Sequence, residues 1–164
     1  MAKIRMAQYG TKHGHARGKM QAMLVNPDVE VAGVFEPDAK QREKLQNGGT
    51  FADVHWYADV EEMLSDDTIV AVASEGNNAE NLDQTEQIVN AGKHVWYDQP
   101  AGENWEQWQR VINTVQEKSL HVQMGYMLRY HSTFRQVAEW VHAGFLGDVF
   151  SVRAHMSTNI SREG

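Results

Sequence analysis

The sequence predicts an α/β fold built on a doubly wound, mostly parallel sheet. Short apolar runs alternate along the chain with longer runs of helical periodicity, which is the pattern of repeated strand, helix, strand units. A turn that contains Gly10 and Gly14 follows the first apolar run, and Glu36 ends the second. In sheets of this kind ligands bind at the carboxyl ends of the strands, where both features fall.

The apolar and helical runs give each element its predicted place in the chain. We expect strands over Ile4 to Tyr9, Val29 to Phe35, Val54 to Trp56, Ile69 to Ala73, His94 to Tyr97 and His121 to Met124. We expect helices over His15 to Val25, Pro37 to Leu45, Val60 to Leu64, Ala79 to Asn90, Glu103 to Glu117 and Thr133 to His142. In the fifth helix, one apolar face is predicted to pack in the core: Trp105, Trp108, Val111, Ile112 and Val115.

Several helix boundaries carry their own local signals. Asp59 followed by Glu62 has the spacing of a capping box, in which two side chains accept hydrogen bonds from the free N–H groups of the first turn. Pro37 suits the first turn of a helix, and Gly92 suits a left-handed helix end. These signals support the helices that begin near residues 37 and 60 and the helix that ends near residue 90.

Composition excludes several classes of function. The chain has 164 residues, 41% of them hydrophobic and 23% charged, which is typical of a soluble globular domain. Its net charge of −7 and lack of a basic run argue against a nucleic-acid partner. No apolar stretch is long enough for a signal peptide or a membrane span, and there is no cysteine, so we expect a cytoplasmic protein.

The turn after the first strand occupies the place where a Rossmann fold has Gly-x-Gly-x-x-Gly. We expect five turn residues to contact a dinucleotide: Gly10, Thr11, Lys12, His13 and Gly14. Lys12 stands at the second glycine position, where its ammonium could face the phosphates. A plain tight turn is the alternative.

Glu36 lies about 20 residues after this turn, at the end of the second strand, where an acid binds ribose hydroxyls. Its charge would repel the 2′-phosphate of NADP, so NAD is the expected cofactor. Lys40 and Arg42 lie nearby, so NADP is the alternative cofactor. The alternative role for Glu36 is that of a solvated residue at the start of a helix.

The fourth predicted strand ends in a polar loop at Ser74 and Glu75, on the edge where doubly wound sheets bind ligands. We expect both residues to contact the cofactor, with an ordinary polar loop as the alternative. Eight histidines invite a metal interpretation, but His13 and His15 have no acidic neighbour at ligand spacing along the chain. The sequence therefore predicts no metal site.

Three segments resemble the glucose-fructose oxidoreductase, inositol dehydrogenase and rhizopine-catabolism family, Gfo/Idh/MocA. Gly92 to Pro100, GKHVWYDQP, resembles its "GKHV…EKP" turn; Gly125 to Tyr130 resembles its "G…R(F/Y)" segment; Gly144 to Val149 resembles its step into the substrate domain. The resemblance implies a Rossmann domain over residues 1–147, followed at 148–164 by the start of a truncated α+β substrate and oligomerisation domain. Phe150 to Met156 would be the first strand of that domain, seeking a partner edge.

The resemblance also implies a chemistry. The family lysine beside the nicotinamide is replaced by Gln99, which with Asp98 follows the fifth strand, and Arg129 could hold a carboxylate or hydroxyl-rich substrate. We therefore expect the cofactor domain of an oxidoreductase that moves hydride between a sugar or polyol and NAD(P), homo-oligomeric at full length and inactive as this fragment. A non-catalytic nucleotide-binding or scaffold protein and an NAD-dependent, redox-assisted glycosidase are the alternatives.

Overall fold

A computed structural model describes residues 2–155 and contains a five-stranded, all-parallel sheet. The strands are β1 (Ile4–Tyr9), β2 (Val29–Phe35), β3 (Ala71–Ser74), β4 (His94–Tyr97) and β5 (Val122–Met124), in the order β2-β1-β3-β4-β5. The helices are α1 (Ala16–Val25), α2 (Ala39–Gln46), α3 (Val60–Ser65), α4 (Asn81–Asn90), α5 (Trp105–Glu117) and α6 (Ser132–His142). The predicted fold class is confirmed.

The strand predicted at Val54 to Trp56 is reduced to a single bridge. The Val34 N–H donates to the His55 carbonyl at 2.8 Å, and the Val34 carbonyl accepts from the Tyr57 N–H at 2.9 Å. Val34 is thus the one residue of β2 that pairs with this segment. The prediction of a full strand was wrong, because β2 offers this segment only one residue to pair with. Counting the bridge as an outer strand gives the 3-2-1-4-5-6 order of a Rossmann fold.

The two faces of the sheet carry separate apolar cores. Helices α1 and α2 cover one face, where Met20 and Leu45 pack against Val34. Helices α3, α4 and α5 cover the other face, and the core there includes Met63 and Ile88. Because β-strand side chains alternate between faces, strands β1 to β4 each supply residues to both cores.

A bulge in β2 changes which face its residues occupy. Met6 pairs with Val31, but the next residue, Ala7, pairs with Gly33, so one extra residue of β2 stands between the two pairs. Val31 packs in the core under α1 and α2, whereas Phe35 packs in the opposite core, against Tyr9. Without the extra residue, Val31 and Phe35 would share one face.

The helix ends follow the sequence signals in two cases of three. Asp59 accepts from the N–H of Glu62 at 2.7 Å, and Gly92 closes the end of α4 with a φ of +77°. Pro37 does not lie in the first turn of α2, because Asp38 caps that helix and accepts from the N–H groups of Lys40 and Gln41. The carboxylate cap satisfies donors that a first-turn proline would only remove.

Helix α5 departs from its predicted face at one end. Val111 is fully buried and Trp108 packs at the edge of the same core, as predicted. Trp105, the first residue of the helix, is 68% exposed and does not pack in this core.

The described residues from 126 to 155 belong to a second compact unit. Its described part contains a short 3₁₀ helix, Met127–Tyr130, and α6, followed by turns at Gly144 and Gly147 with positive φ. The strand expected from Phe150 to Met156 is not formed over residues 150–155, and Met156 lies outside the described residues. Phe150 is almost fully exposed, and a strand without a partner edge has nothing to pair its backbone groups.

Candidate functional site

The turn after β1 is held against the loop after β3 by backbone contact. Gly10 has a φ of +84°, and a Cβ at this position would lie 2.6 Å from the backbone nitrogen of Gly76. The N–H of His13 donates to the carbonyl of Glu75 at 3.0 Å, and the N–H of Gly10 donates to that of Phe35 at 2.7 Å. Only glycine fits at position 10, because any side chain would push the turn away from the loop.

An open groove of about 620 Å³ lies between these two segments. We call it the switch-point groove, since it lies beyond the carboxyl ends of β1 and β3, where the direction of strand order reverses. It is lined by Lys12, His13, Gly14, Asn77, Asn78, Ala79 and Glu103.

Lys12 and Gly14, both predicted to contact the cofactor, therefore line the groove. The Lys12 ammonium is already paired, 3.0 Å from Glu80 and 3.6 Å from Asp38, and the Glu80 hydrogen bond raises its pKa.

Glu36 lies at the end of β2 and is only 3% exposed. Its carboxylate accepts from the Thr11 hydroxyl at 2.6 Å and from the Asp38 N–H at 2.9 Å. A carboxylate has about four lone-pair sites, so it retains acceptor capacity beyond these two bonds. The structure thus joins two predicted cofactor residues, Thr11 and Glu36, by a direct hydrogen bond.

A buried group of charges lies beneath the turn. Lys19 of α1 forms an ion pair with Glu75, and its Nζ lies 3.4 Å from Asp98 Oδ2 and 4.8 Å from the centre of the Trp96 ring. All three ionic side chains are at most 5% exposed. Burial raises the pKa of Glu75, and the Lys19 charge opposes that rise.

The histidines of the turn reach the same place. His15 Nδ1 lies 2.8 Å from Asp98 Oδ2, and His13 Nδ1 lies 3.7 Å from that oxygen and 3.5 Å from Glu75. Burial raises the pKa of Asp98, but the His15 hydrogen bond and the neighbouring Lys19 and histidine charges outweigh it, so the net pKa is lowered. Burial lowers the pKa of His13.

Together, His13, His15, Lys19, Glu75 and Asp98 form a group that we call the ionic cluster. The histidines have no acidic neighbour at ligand spacing along the chain, but the fold brings a distant acid to them. Asp98 reaches His15 from the end of β4, a contact that depends on the tertiary fold. Lys19 was missed, although its place on the buried side of α1 beside Ala16, Met20 and Met23 was a readable signal.

Ser74 does not face the groove with its side chain. It is fully buried, and its hydroxyl donates to Gln84 Oε1 at 3.2 Å, which also accepts from the Gly76 N–H at 3.0 Å. The side-chain amide of Asn81 is buried beside this network, and neither of its polar atoms has a hydrogen-bond partner among residues 2–155. Gln84 therefore fixes the loop that forms one wall of the groove.

The two remaining predicted residues are exposed. Gln99 follows Asp98 at the end of β4 and precedes Pro100 through a cis peptide bond. Arg129 lies in the 3₁₀ helix of the second unit. Asp98, unlike these two, is 2% exposed and belongs to the ionic cluster.

The chain has clear relatives. Residues 5–126 match the profile of the Gfo/Idh/MocA oxidoreductase family, described as an NAD-binding Rossmann fold. The chain is 24% identical over 140 residues to the rhizopine catabolism protein MocA of Rhizobium meliloti, an alignment covering 84% of this chain and 41% of that protein.

Solved structures share the fold. The myo-inositol 2-dehydrogenase of Lactobacillus plantarum superimposes with a TM-score of 0.75 at 19% identity, over 90% of this chain and 43% of that one. An NAD-binding protein from Listeria innocua gives 0.78 at 21% identity, over 92% and 42%. The chain thus spans about two fifths of the length of these relatives.

The part of the chain that the structure describes contains no helix long and apolar enough to cross a membrane. The family match covers almost all of the first compact unit, including Gly10, Glu36 and the β4 turn. The chain belongs to the Gfo/Idh/MocA oxidoreductase family and carries its NAD-binding Rossmann domain.

Proposed function

We propose that the chain binds NAD, in preference to NADP, in the switch-point groove and serves as the cofactor domain of an oxidoreductase acting on a sugar, polyol or related carbohydrate. The observation that carries this proposal is the contact between Gly10 and Gly76, because it brings two strand-end loops together beside an open groove. Grooves at such a switch point are where α/β sheets bind dinucleotides.

The residues present fit a dinucleotide at two further points. Helix α1 begins directly after the turn, and no side chain caps it. The N–H of Ala16 donates to the His13 carbonyl at 3.1 Å, so the first-turn N–H groups left for a pyrophosphate are those of Arg17 and Gly18. Glu36 ends β2 beside Thr11, in the place where an acid accepts hydrogen bonds from ribose hydroxyls. Bound nicotinamide would supply the hydride acceptor.

Residues at the end of β4 would set the chemistry beside that ring. Gln99 can donate a hydrogen bond to a substrate oxygen, but its neutral amide supplies neither positive charge nor a proton. Asp98 is held ionised by its cationic neighbours, and Arg129 would hold the substrate. We expect the chain alone to bind cofactor without turning over substrate, and the protein to be cytoplasmic and homo-oligomeric at full length.

Calorimetric titration of NAD into this chain tests the proposal. We expect micromolar or tighter binding, and Gly10→Ala should weaken it at least about tenfold, since strain in the left-handed region and the contact with Gly76 displace the turn. Gly48→Ala is the matched control, because Gly48 does not line the groove, has an extended backbone, and would place a Cβ that meets nothing within 4 Å.

Circular dichroism would verify that both variants fold. No heat and no thermal shift at millimolar NAD would refute cofactor binding. Equal NAD affinity in wild type and folded Gly10→Ala would refute the placement of the cofactor in this groove.

A non-catalytic nucleotide-binding protein is the second candidate, favoured by Gln99 in place of the family lysine. The two candidates make different predictions for hydride transfer in the protein that carries a substrate domain. NAD that binds but is never reduced by any polyol would favour the second candidate.

A further inference from the structure

Three side chains with metal-binding atoms converge beneath the first turn. His15 Nδ1 and Asp98 Oδ2 are 2.8 Å apart, His13 Nδ1 and Asp98 Oδ2 are 3.7 Å apart, and the potential donor atoms of all three residues lie within 4.8 Å of one another. No other such group of three is present among the described residues.

These distances suit a small divalent ion. Zinc is bound by histidine nitrogen and carboxylate oxygen at about 2.0–2.2 Å, which places the ligand atoms of one ion roughly 3–3.5 Å from each other. The cluster has atoms on both sides of that range, so small side-chain rotations would seat an ion. The N–H of His15 donates to His13 Nδ1 at 3.2 Å, and this weak bond would be broken on binding.

The local charges favour a cation. Lys19 lies between the carboxylates of Glu75 and Asp98, so the cluster has two carboxylates for one ammonium group. The Asp98 carboxylate is 3% exposed, forms a hydrogen bond with His15, and lies 3.4 Å from Lys19 Nζ. A buried carboxylate with two imidazoles beside it is the chemistry that binds transition metals.

The backbone makes room for this arrangement. A Cβ at Gly125, the residue after β5, would collide with the Asp98 carboxylate, so glycine leaves that carboxylate space beside β5. His15 is 40% exposed, and His13 lines the switch-point groove, so the cluster has one side open to solvent. Asp98 and the two histidines come from separate elements that the sheet fixes in place.

We propose that His13, His15 and Asp98 form a binding site for a divalent transition metal of the zinc class, with at least one coordination position open toward the groove. Oxygen ligands such as water or a phosphate would complete the coordination. The site does not depend on dinucleotide binding, because its three protein ligands are present in the chain alone.

Metal titration without any nucleotide tests the site. The chain is stripped with a chelator and titrated with Co²⁺, followed by its visible absorption, and Zn²⁺ is then added in competition. We expect one metal per chain, with Zn²⁺ displacing Co²⁺. Asp98→Asn and His15→Ala should each weaken binding at least about tenfold, since each removes a ligand.

His142→Ala is the control, because His142 is an exposed histidine on α6, outside the cluster. Failure to bind one metal per chain, or wild-type affinity in both ligand variants, would overturn the proposal.

If Asp98→Asn does not fold, NMR of the wild-type chain provides the second measurement. Paramagnetic Ni²⁺ should broaden the ring signals of His13 and His15 first. Broadening that begins instead at His94, His121 or His142 would place the metal elsewhere and overturn the site.

Discussion

Replacing Lys19 with methionine should destabilise the fold more than any other single change in the ionic cluster. Lys19 is 5% exposed, pairs with the fully buried Glu75 and lies over the Trp96 ring. Methionine is also long and unbranched, so Lys19→Met keeps much of the packing volume and removes the charge. The perturbation is therefore electrostatic in origin.

The magnitude follows from what remains around Glu75. After Lys19→Met, the basic group nearest to the Glu75 carboxylate is His13 Nδ1 at 3.5 Å, and burial lowers the pKa of that histidine. Removing one partner of a buried ion pair costs about 3–5 kcal/mol, a large share of the 5–15 kcal/mol typical of a domain. Loss of the contact with Trp96 adds about 0.5–1 kcal/mol.

Substitution of the other member of this ion pair, Glu75, should cost less folding stability. In Glu75→Gln, Lys19 keeps Asp98 at 3.4 Å as its counter-ion, so we expect about 1–3 kcal/mol. The double variant, Lys19→Met with Glu75→Gln, should be more stable than Lys19→Met alone, because no charge is left unpaired at position 75. The expected coupling is about 1–3 kcal/mol.

Equilibrium unfolding in urea, followed by tryptophan fluorescence in the presence of a chelator, measures these free energies. Lys44→Met, on the exposed side of α2, is the matched control and should change stability by less than about 0.5 kcal/mol. A loss below about 1 kcal/mol for Lys19→Met, or no gain in the double variant, would refute the buried ion pair as described.

Three further outcomes are expected. Glu36→Ala should weaken NAD while sparing or improving NADP, because it removes ribose hydrogen bonds and a repulsive charge; an unchanged preference in calorimetry would make Glu36 a purely structural partner of Thr11. Gln99→Lys, in this domain joined to a relative's substrate domain, should raise polyol dehydrogenase turnover by roughly 10²-fold and leave NAD affinity unchanged; equal turnover would contradict this. Hydrogen bonds from Thr68 and Arg5 lower the pKa of Asp66, so its contribution is present at neutral pH and is lost as pH falls through the lowered pKa. Asp66→Asn should therefore reduce stability by about 0.5–1.5 kcal/mol near neutral pH and by less in acid; a deficit that does not vary with pH would contradict the shift.

Local pattern was sufficient to predict most of the fold. β1, β2 and β4 have their predicted bounds, because a short apolar run between turn residues has few alternatives to a buried parallel strand. The segment at Val54 to Trp56 has the same local character, yet it makes one bridge, because strand formation also depends on the neighbour. Phe150 to His155 shows the same limit, since no partner edge pairs with it.

The site was predictable only in part. The role of Gly10 was predictable, because a glycine at a strand-to-helix turn indicates a backbone conformation that other residues rarely adopt. The contacts of Asp98 with His15 and Lys19 join the end of β4 to α1, and nothing in either segment alone indicates them. Sequence spacing finds ligands that share one element, whereas these residues meet only after β1, β3 and β4 have paired.

The bulge in β2 makes the length of that strand a determinant of the site. Met6 and Ala7 are consecutive in β1, but their partners in β2 are separated by one extra residue. The side chains after this residue therefore point to the opposite face of the sheet from the one that a regular strand would give them. Phe35 therefore faces away from α1, and Glu36 arrives beside the Thr11 hydroxyl. Substitutions in β2 change how well this strand packs, but an insertion or deletion there would move half of its side chains to the opposite face of the sheet. Homologous chains that keep the acid beside the first turn should therefore vary in the residues of β2 far more than in their number.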